Sequence, residues 1–184
     1  MILMIVLGVL VLLLLWALAT YNGLIQLRVR ADGAWSDIDV QLKRRYDLIP
    51  NIVETVKGYA AHEKNVFTQV TEARSQAMRA TSPGEKAQAE GALTGTLKSL
   101  FAVAENYPQL RANENFMSLQ QSLTQVEEAL QDARRYYNAV VRDYNTKFNV
   151  LPDRLIAQAG GFTLKEFFQL DSVEEAKTPK VSFS

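Results

Sequence analysis

The sequence predicts an all-α fold: an N-terminal transmembrane helix followed by an elongated antiparallel four-helix bundle with a small C-terminal cap. Three observations carry this prediction. Residues 1–19 contain no charged or strongly polar side chain. Beyond them, apolar residues recur at spacings of three and four, and no segment alternates with period two. The five prolines (Pro50, Pro83, Pro108, Pro152 and Pro179) fall between the apolar runs and act as punctuation. The 184 residues thus divide into an anchor (1–20), one bundle domain (21–170) and a polar tail (171–184) expected to be disordered.

Thirteen of the residues from Met1 to Ala19 are Leu, Ile or Val, which favours membrane insertion by about −4 to −8 kcal/mol. At about 1.5 Å per residue the stretch is close to the roughly 30 Å hydrocarbon thickness. Trp16 and Tyr21 lie where an interfacial aromatic belt belongs. A cleaved signal peptide is the competing reading, because Ala17-Leu18-Ala19 has the small-x-small form. Against it, no basic residue precedes the apolar run, which is also longer than a typical signal core. Arg28, Arg30, Lys43, Arg44 and Arg45 all follow the anchor, so the positive-inside rule points to a cytoplasmic bundle, with Arg28 and Arg30 counting most.

The first helix is expected over Tyr21–Tyr46, with an apolar stripe at Leu24, Leu27, Ala31, Trp35, Ile38 and Leu42. Arg44 and Arg45 in its last turn suit the negative end of the helix dipole. Gly23 and Gly33 are tolerable, at about 1 kcal/mol each, so anchor and first helix are expected to run on as one rod. Asp47 then offers an N-cap with Pro50 in the first turn. The second helix carries Ile52, Val56, Tyr59, Val66, Val70, Ala73 and Ala77 on one face. Ser82-Pro83-Gly84-Glu85 reads as a capping box with proline at the first helical position. The third helix follows with Leu93, Leu97, Leu100, Ala104 and Tyr107. Asn113 caps the fourth, in which Phe116, Leu119, Leu123, Val126, Leu130, Ala133, Tyr137, Val140 and Tyr144 form an unbroken seam over four heptads. Pro152 ends it. Leu155, Ile156, Phe162, Leu164, Phe167 and Phe168, around Gly160-Gly161, are expected to cap one end of the bundle.

Twenty basic residues balance twenty acidic ones, which excludes the basic footprint of a nucleic-acid partner. Without cysteine there is no disulfide framework, thiolate nucleophile or cysteine-bound metal. The single histidine, His62, precedes Glu63 and Lys64, but position 66 is Val, so the His-Glu-x-x-His zinc motif fails. No Glu stands three residues before His62, which removes the di-iron bundle pattern. No Gly-x-Ser-x-Gly elbow is present. His62 reads as a partly exposed helix residue. Asp37 and Asp39, two apart on a helix, point to different faces. Glu127 and Glu128 read as a solvated face beside the seam. Gly160-Gly161 is too short for a phosphate loop. Lys43-Arg44-Arg45 reads as helix-end charge complementation, with anionic lipid as the alternative. Neither a cofactor, a metal site nor an enzymatic activity is expected. Tyr136-Tyr137-Asn138 and Tyr144-Asn145 repeat a Tyr-Asn pair one heptad apart, flanking the seam where Asn can bond across helices or fix register.

Tyr21-Asn22-Gly23-Leu24-Ile25-Gln26-Leu27-Arg28 and Ala34-Trp35-Ser36-Asp37-Ile38-Asp39-Val40-Gln41-Leu42 resemble the start of the LemA family. The resemblance continues through Lys43-Arg44-Arg45-Tyr46-Asp47-Leu48-Ile49-Pro50-Asn51 and Val56-Lys57-Gly58-Tyr59-Ala60-Ala61-His62-Glu63. It returns in Tyr107-Pro108-Gln109-Leu110-Arg111-Ala112-Asn113, Phe116, Leu119-Gln120 and Arg135-Tyr136-Tyr137-Asn138. It ends in Tyr144-Asn145, Phe148, Pro152, Ile156-Ala157 and Phe162. One departure is Ala159-Gly160-Gly161-Phe162, where members often carry an aromatic residue before Gly-Phe; it is expected to loosen the C-terminal cap. The resemblance implies a bacterial single-pass membrane protein with an elongated helical bundle, without an established catalytic activity. It also implies kinship with magnetosome proteins, which have roles in forming membrane organelles, and with members found beside membrane metalloproteases.

Two functions follow from this reading. One is a structural assembly protein at the cell envelope, acting as a homo-oligomer in the lipid bilayer. The other is an adaptor or regulator of another membrane protein, such as a quality-control protease. Candidate interaction residues are Arg44, Arg45, Asp47 and Asn51 at the first helix junction, with Asn138 and Asn145 beside the seam.

Overall fold

The computed structural model describes residues 1–169, so the expected polar tail at 171–184 lies outside the described residues. They form six helices and no strand: α1 (Ile2–Lys57), α2 (Lys64–Arg79), α3 (Pro83–Glu105), α4 (Pro108–Arg111), α5 (Glu114–Asn149) and α6 (Asp153–Ala159). An extended segment, 162–169, follows. The chain divides into two units. One comprises Met1–Arg45 with Leu123–Phe167; the other comprises Tyr46–Ser122 with Phe168 and Gln169.

In the first unit α1 and α5 run antiparallel. The Trp35 and Tyr137 rings lie 5.2 Å apart, and Arg45 pairs with Glu127. Further back along α1, a methyl group at Gly23 would meet Lys147 Nζ. Buried Leu24, Ala31, Ala34, Ile38 and Leu42 from α1 face Leu123, Leu130, Tyr137, Val140 and Tyr144 from α5, so the two heptad stripes close on each other. The expected C-terminal cap forms here. Leu24, Tyr144, Ala157 and Phe162 make one cluster, against which Ile25, Leu27 and Phe148 pack. Gly161 adopts a left-handed φ of 68°, a conformation that glycine takes without strain, and turns the chain from α6 into the extended segment. Phe162 stays buried despite the missing aromatic neighbour at Gly160; a side chain there would strike the Phe162 ring itself.

The extended segment has no strand partner, yet its backbone polar groups must be satisfied. Side chains of α5 do this. Tyr144 Oη donates to the Thr163 carbonyl and Tyr137 Oη to the Glu166 carbonyl, each at 2.8 Å. Asn145 Nδ2 donates to the Lys165 carbonyl at 2.8 Å, and its Oδ1 accepts from the Lys165 N–H at 3.0 Å. The Lys165 ammonium reaches Asp32 on α1 at 2.6 Å. The Tyr-Asn repeat is therefore a ladder for one peptide segment.

In the second unit the sequence expectation needs correction. A new helix was expected at Asp47, but α1 continues without a break through Pro50 to Lys57. Proline has no N–H to give the carbonyl four residues back, here that of Tyr46. Arg74 Nε on α2 donates to that carbonyl at 2.8 Å, so the abandoned acceptor is satisfied and the helix continues past the proline. Asp47 is then an exposed mid-helix residue, not a cap. The chain turns over 58–63 instead, with the Tyr59 and Ala60 N–H groups closing on the Val56 carbonyl. His62 lies exposed in this turn and not on a helix.

Other local signals hold. Ser82 Oγ accepts from the Glu85 N–H, and Glu85 Oε2 accepts from the Ser82 and Thr81 N–H groups, all at 3.2 Å. These backbone donors hold the Glu85 carboxyl below its usual range. Asn113 Oδ1 caps α5 through the Phe116 N–H at 3.0 Å, while its Nδ2 donates to Tyr59 Oη at 3.0 Å. Leu93, Leu97, Leu100 and Ala104 bury one face of α3, and Phe101 meets Phe116 with ring centroids 6.3 Å apart.

Burial, followed by the Asp32 and Glu166 carboxylates, pushes the Tyr137 hydroxyl up to about 12. A tyrosine raised from its ordinary value of about 10 contributes stability that is intact below pH ~10 and lost as pH climbs through ~12. The wild-type melting temperature should therefore fall across that window. Tyr137→Phe, which cannot ionise, should start lower at neutral pH for want of the Glu166 bond and should then fall less steeply.

Candidate interaction site

The six residues singled out from the sequence fall into different environments. Arg44, Asp47 and Asn51 are exposed on α1. Arg45 is wholly buried. Asn138 is half-buried, and Asn145 holds the extended segment. Arg45 is next on the stripe after Leu42, three residues on, where a leucine would serve. Its Nη2 meets Glu127 Oε1 at 2.8 Å, and the carboxylate keeps 38% side-chain exposure against 1% for the guanidinium. Arg suits such a place, being weakly hydrated and able to bond in a fixed plane. Glu127, expected on a solvated face, instead anchors this cation.

A second buried polar contact was missed. Glu90 sits inside the second unit at 1% exposure. It accepts from Tyr46 Oη at 2.5 Å, and the same hydroxyl lies 3.3 Å from the Ala77 carbonyl. Its signal was present: Glu90 extends the Leu93-Leu97-Leu100 stripe of α3 backwards by three residues. A charged residue at a core position demands a partner, and Tyr46 is one. Both contacts join elements of their own unit and orient no reactive group toward solvent.

Among the described residues no group of three His, Cys, Asp or Glu side chains is placed to hold a metal ion. The second unit bears a cleft of about 590 Å³ lined by Phe101, Asn106, Arg111, Phe116, Met117 and Gln120. The first unit instead offers a helix face. Asn22, Gln26, Val29, Gly33, Ser36 and Val40 recur at spacings of four, three, four, three and four, and all are exposed. Val29 is 61% and Val40 47% exposed, and a side chain at Gly33 would meet nothing.

An apolar helix able to cross a membrane by length and composition, joined to a helical bundle with polar contacts sealed inside, defines a membrane-associated helical protein. A family model described as "LemA family" matches residues 34–183, and the chain belongs to that family. It is similar to Magnetosome protein MamQ 2 of Paramagnetospirillum magneticum, 24% identical over 178 residues, covering 83% of this chain and 65% of that protein. Magnetosome protein MamQ of Magnetospirillum gryphiswaldense is 23% identical over 177 residues, with 82% and 65% covered. Protein LemA of Metamycoplasma hominis is 24% identical over 157 residues, with 83% and 70% covered. The chain thus spans about 65% of the length of the magnetosome relatives it matches.

Removing the partner of a buried charge is costlier than removing the charge with it. Glu127→Ala should therefore destabilise the fold by about 1–3 kcal/mol, more than Arg45→Met, which leaves only a part-exposed carboxylate. Chemical denaturation of both single variants and the double variant measures the difference.

Proposed function

We propose that this chain is a non-enzymatic assembly protein, tethered to the bacterial plasma membrane by α1 and acting as a homo-oligomer through its bundle. The observation that carries the reading is the outer face of α1. Its 22–40 stretch has the spacing of a coiled-coil seam, flanked by the exposed charges Arg30 and Asp37, and the described residues leave it uncovered. Val29 and Val40 are the apolar members of this face, at 61% and 47% exposure. That face belongs to the same uninterrupted helix as the apolar stretch. Copies in one bilayer would therefore present it in parallel, and confinement raises the effective concentration of a weak interface. The names of the magnetosome relatives are consistent with work in a membrane assembly.

The chain has no cysteine, so Ser36→Cys introduces a single one on this face. Mild oxidation of native membranes should yield a disulfide-linked species composed only of this chain, while Gln131→Cys on α5 should remain monomeric. A Ser36→Cys chain that stays monomeric overturns the interface. A recurring adduct with a different protein favours the adaptor reading instead, for which exposed Asp47 and Asn51, one turn apart on α1, are the residues to substitute next.

Arg28 and Arg30, following the apolar stretch directly, support a cytoplasmic bundle. A reporter that is active only outside the cytoplasm should stay silent when fused after Ser184; activity there reverses the topology.

A further inference from the structure

The apolar stretch of α1 ends at Ala19, and the first polar residue, Thr20, is buried. Thr20 Oγ1 donates to Asp153 Oδ1 at 3.2 Å. This bond fixes the level of the turn joining α5 to α6: it lies beside the residue where hydrocarbon would give way to headgroups. The bundle end overlaps the apolar stretch slightly, because Trp16 and Ala17 are part-covered while residues 1–15 are all exposed. Four residues of α1 correspond to about 6 Å of depth, close to the depth at which interfacial helices lie.

At this level the turn shows solvent what a bundle end normally hides. Val150 is 52%, Leu151 69% and Leu155 61% exposed, within six residues of chain. Basic side chains flank them. Arg154 is exposed on α6, Lys147 reaches the α1 backbone at Gly23, and the Arg28 guanidinium stands 5.5 Å over the Phe162 ring. The acidic residue of the turn, Asp153, is engaged by Thr20. Tyr21, 41% exposed, sets its ring edge against Phe162 with centroids 5.4 Å apart. Exposed apolar tips interleaved with cations, beside an aromatic pair, suit a bilayer surface, where long basic side chains can reach the headgroups.

We propose that the Val150-Leu151-Pro152 turn and the Leu155 side of α6 form a second membrane contact, entering the headgroup–acyl boundary of the bilayer that α1 spans. The contact rests on α1 crossing that bilayer. It converts a single-point tether into a two-point one: tilting the first unit away from this side would withdraw Val150, Leu151 and Leu155 from the boundary, so the contact restrains the tilt of α1 in the bilayer.

The test uses the full chain in vesicles of phosphatidylcholine and phosphatidylglycerol. An environment-sensitive fluorophore is attached singly through Leu151→Cys or Leu155→Cys, with Val9→Cys marking the span and Gln131→Cys marking water. Lipid nitroxides at shallow and deep positions and aqueous iodide serve as quenchers. The proposal expects the labels at 151 and 155 to be quenched several-fold more by the shallow nitroxide than the label at 131, and to be shielded from iodide. Labels at 151 and 155 that iodide reaches as readily as at 131, while the label at 9 stays deep, overturn the contact and leave the span intact. Iodide reaching the label at 9 overturns the span itself, and the contact with it.

Discussion

A proline inside a helix leaves a carbonyl without its usual donor, and a buried helix continues past it at less cost when another group supplies one. In this protein that donor is the Arg74 guanidinium on the Tyr46 carbonyl. With the donor supplied from α2, α1 passes Pro50 and delivers Ile49, Ile52, Val53 and Val56 to the interior of the second unit. Tyr46 serves twice, since its hydroxyl binds Glu90 on α3 while its carbonyl receives Arg74. One residue thereby ties three helices, through polar contacts set within an otherwise apolar interior.

The first unit uses the same device differently. Buried Arg45 meets part-exposed Glu127 beside two stripes of apolar residues, and an ion pair taken out of water contributes little net stability over a hydrophobic pair of equal volume. Its value lies in exclusiveness. A sliding heptad seam has many near-equivalent registers seven residues apart, whereas a buried cation accepts only the register that brings it a carboxylate. Along the same seam, Tyr137, Tyr144 and Asn145 add a second demand, because they must also meet the carbonyls of one short peptide.

What the sequence made legible was local. The Ser82 capping box, the Asn113 cap, the α5 seam and the apolar stretch of α1 each depend on residues within a few turns, and each appears as expected. What it hid was the answer given by a distant side chain. Pro50 reads as a helix boundary to any local rule, and nothing near it announces Arg74. Arg45 reads as helix-end charge and Glu90 draws no notice, yet extending each stripe by three residues marks both as buried. The Tyr-Asn repeat reads as a register device between helices, and for Tyr137, Tyr144 and Asn145 the partner is backbone that no periodicity could reveal. The candidate interaction residues fared unevenly for the same reason. Charge alone does not separate Arg44, at the surface, from Arg45, in the core.

The two units also differ in when they can be finished. The second is largely continuous in sequence, from Tyr46 to Ser122, whereas the first joins Met1–Arg45 to Leu123–Phe167. On a ribosome, a chain made from its N-terminus presents α2 and α3 to the end of α1 while α5 is still unmade. The buried face of Leu24, Ala31, Ile38 and Leu42 must wait, uncovered, through more than seventy residues of synthesis (from Tyr46 to Ser122), and the extended segment that closes over α5 comes later still. Closure of the first unit is a long-range event, slow by topology. During that interval the waiting stripe is open to chaperones, to the membrane surface and to a neighbouring nascent chain, so any association between copies competes first with the completion of each one.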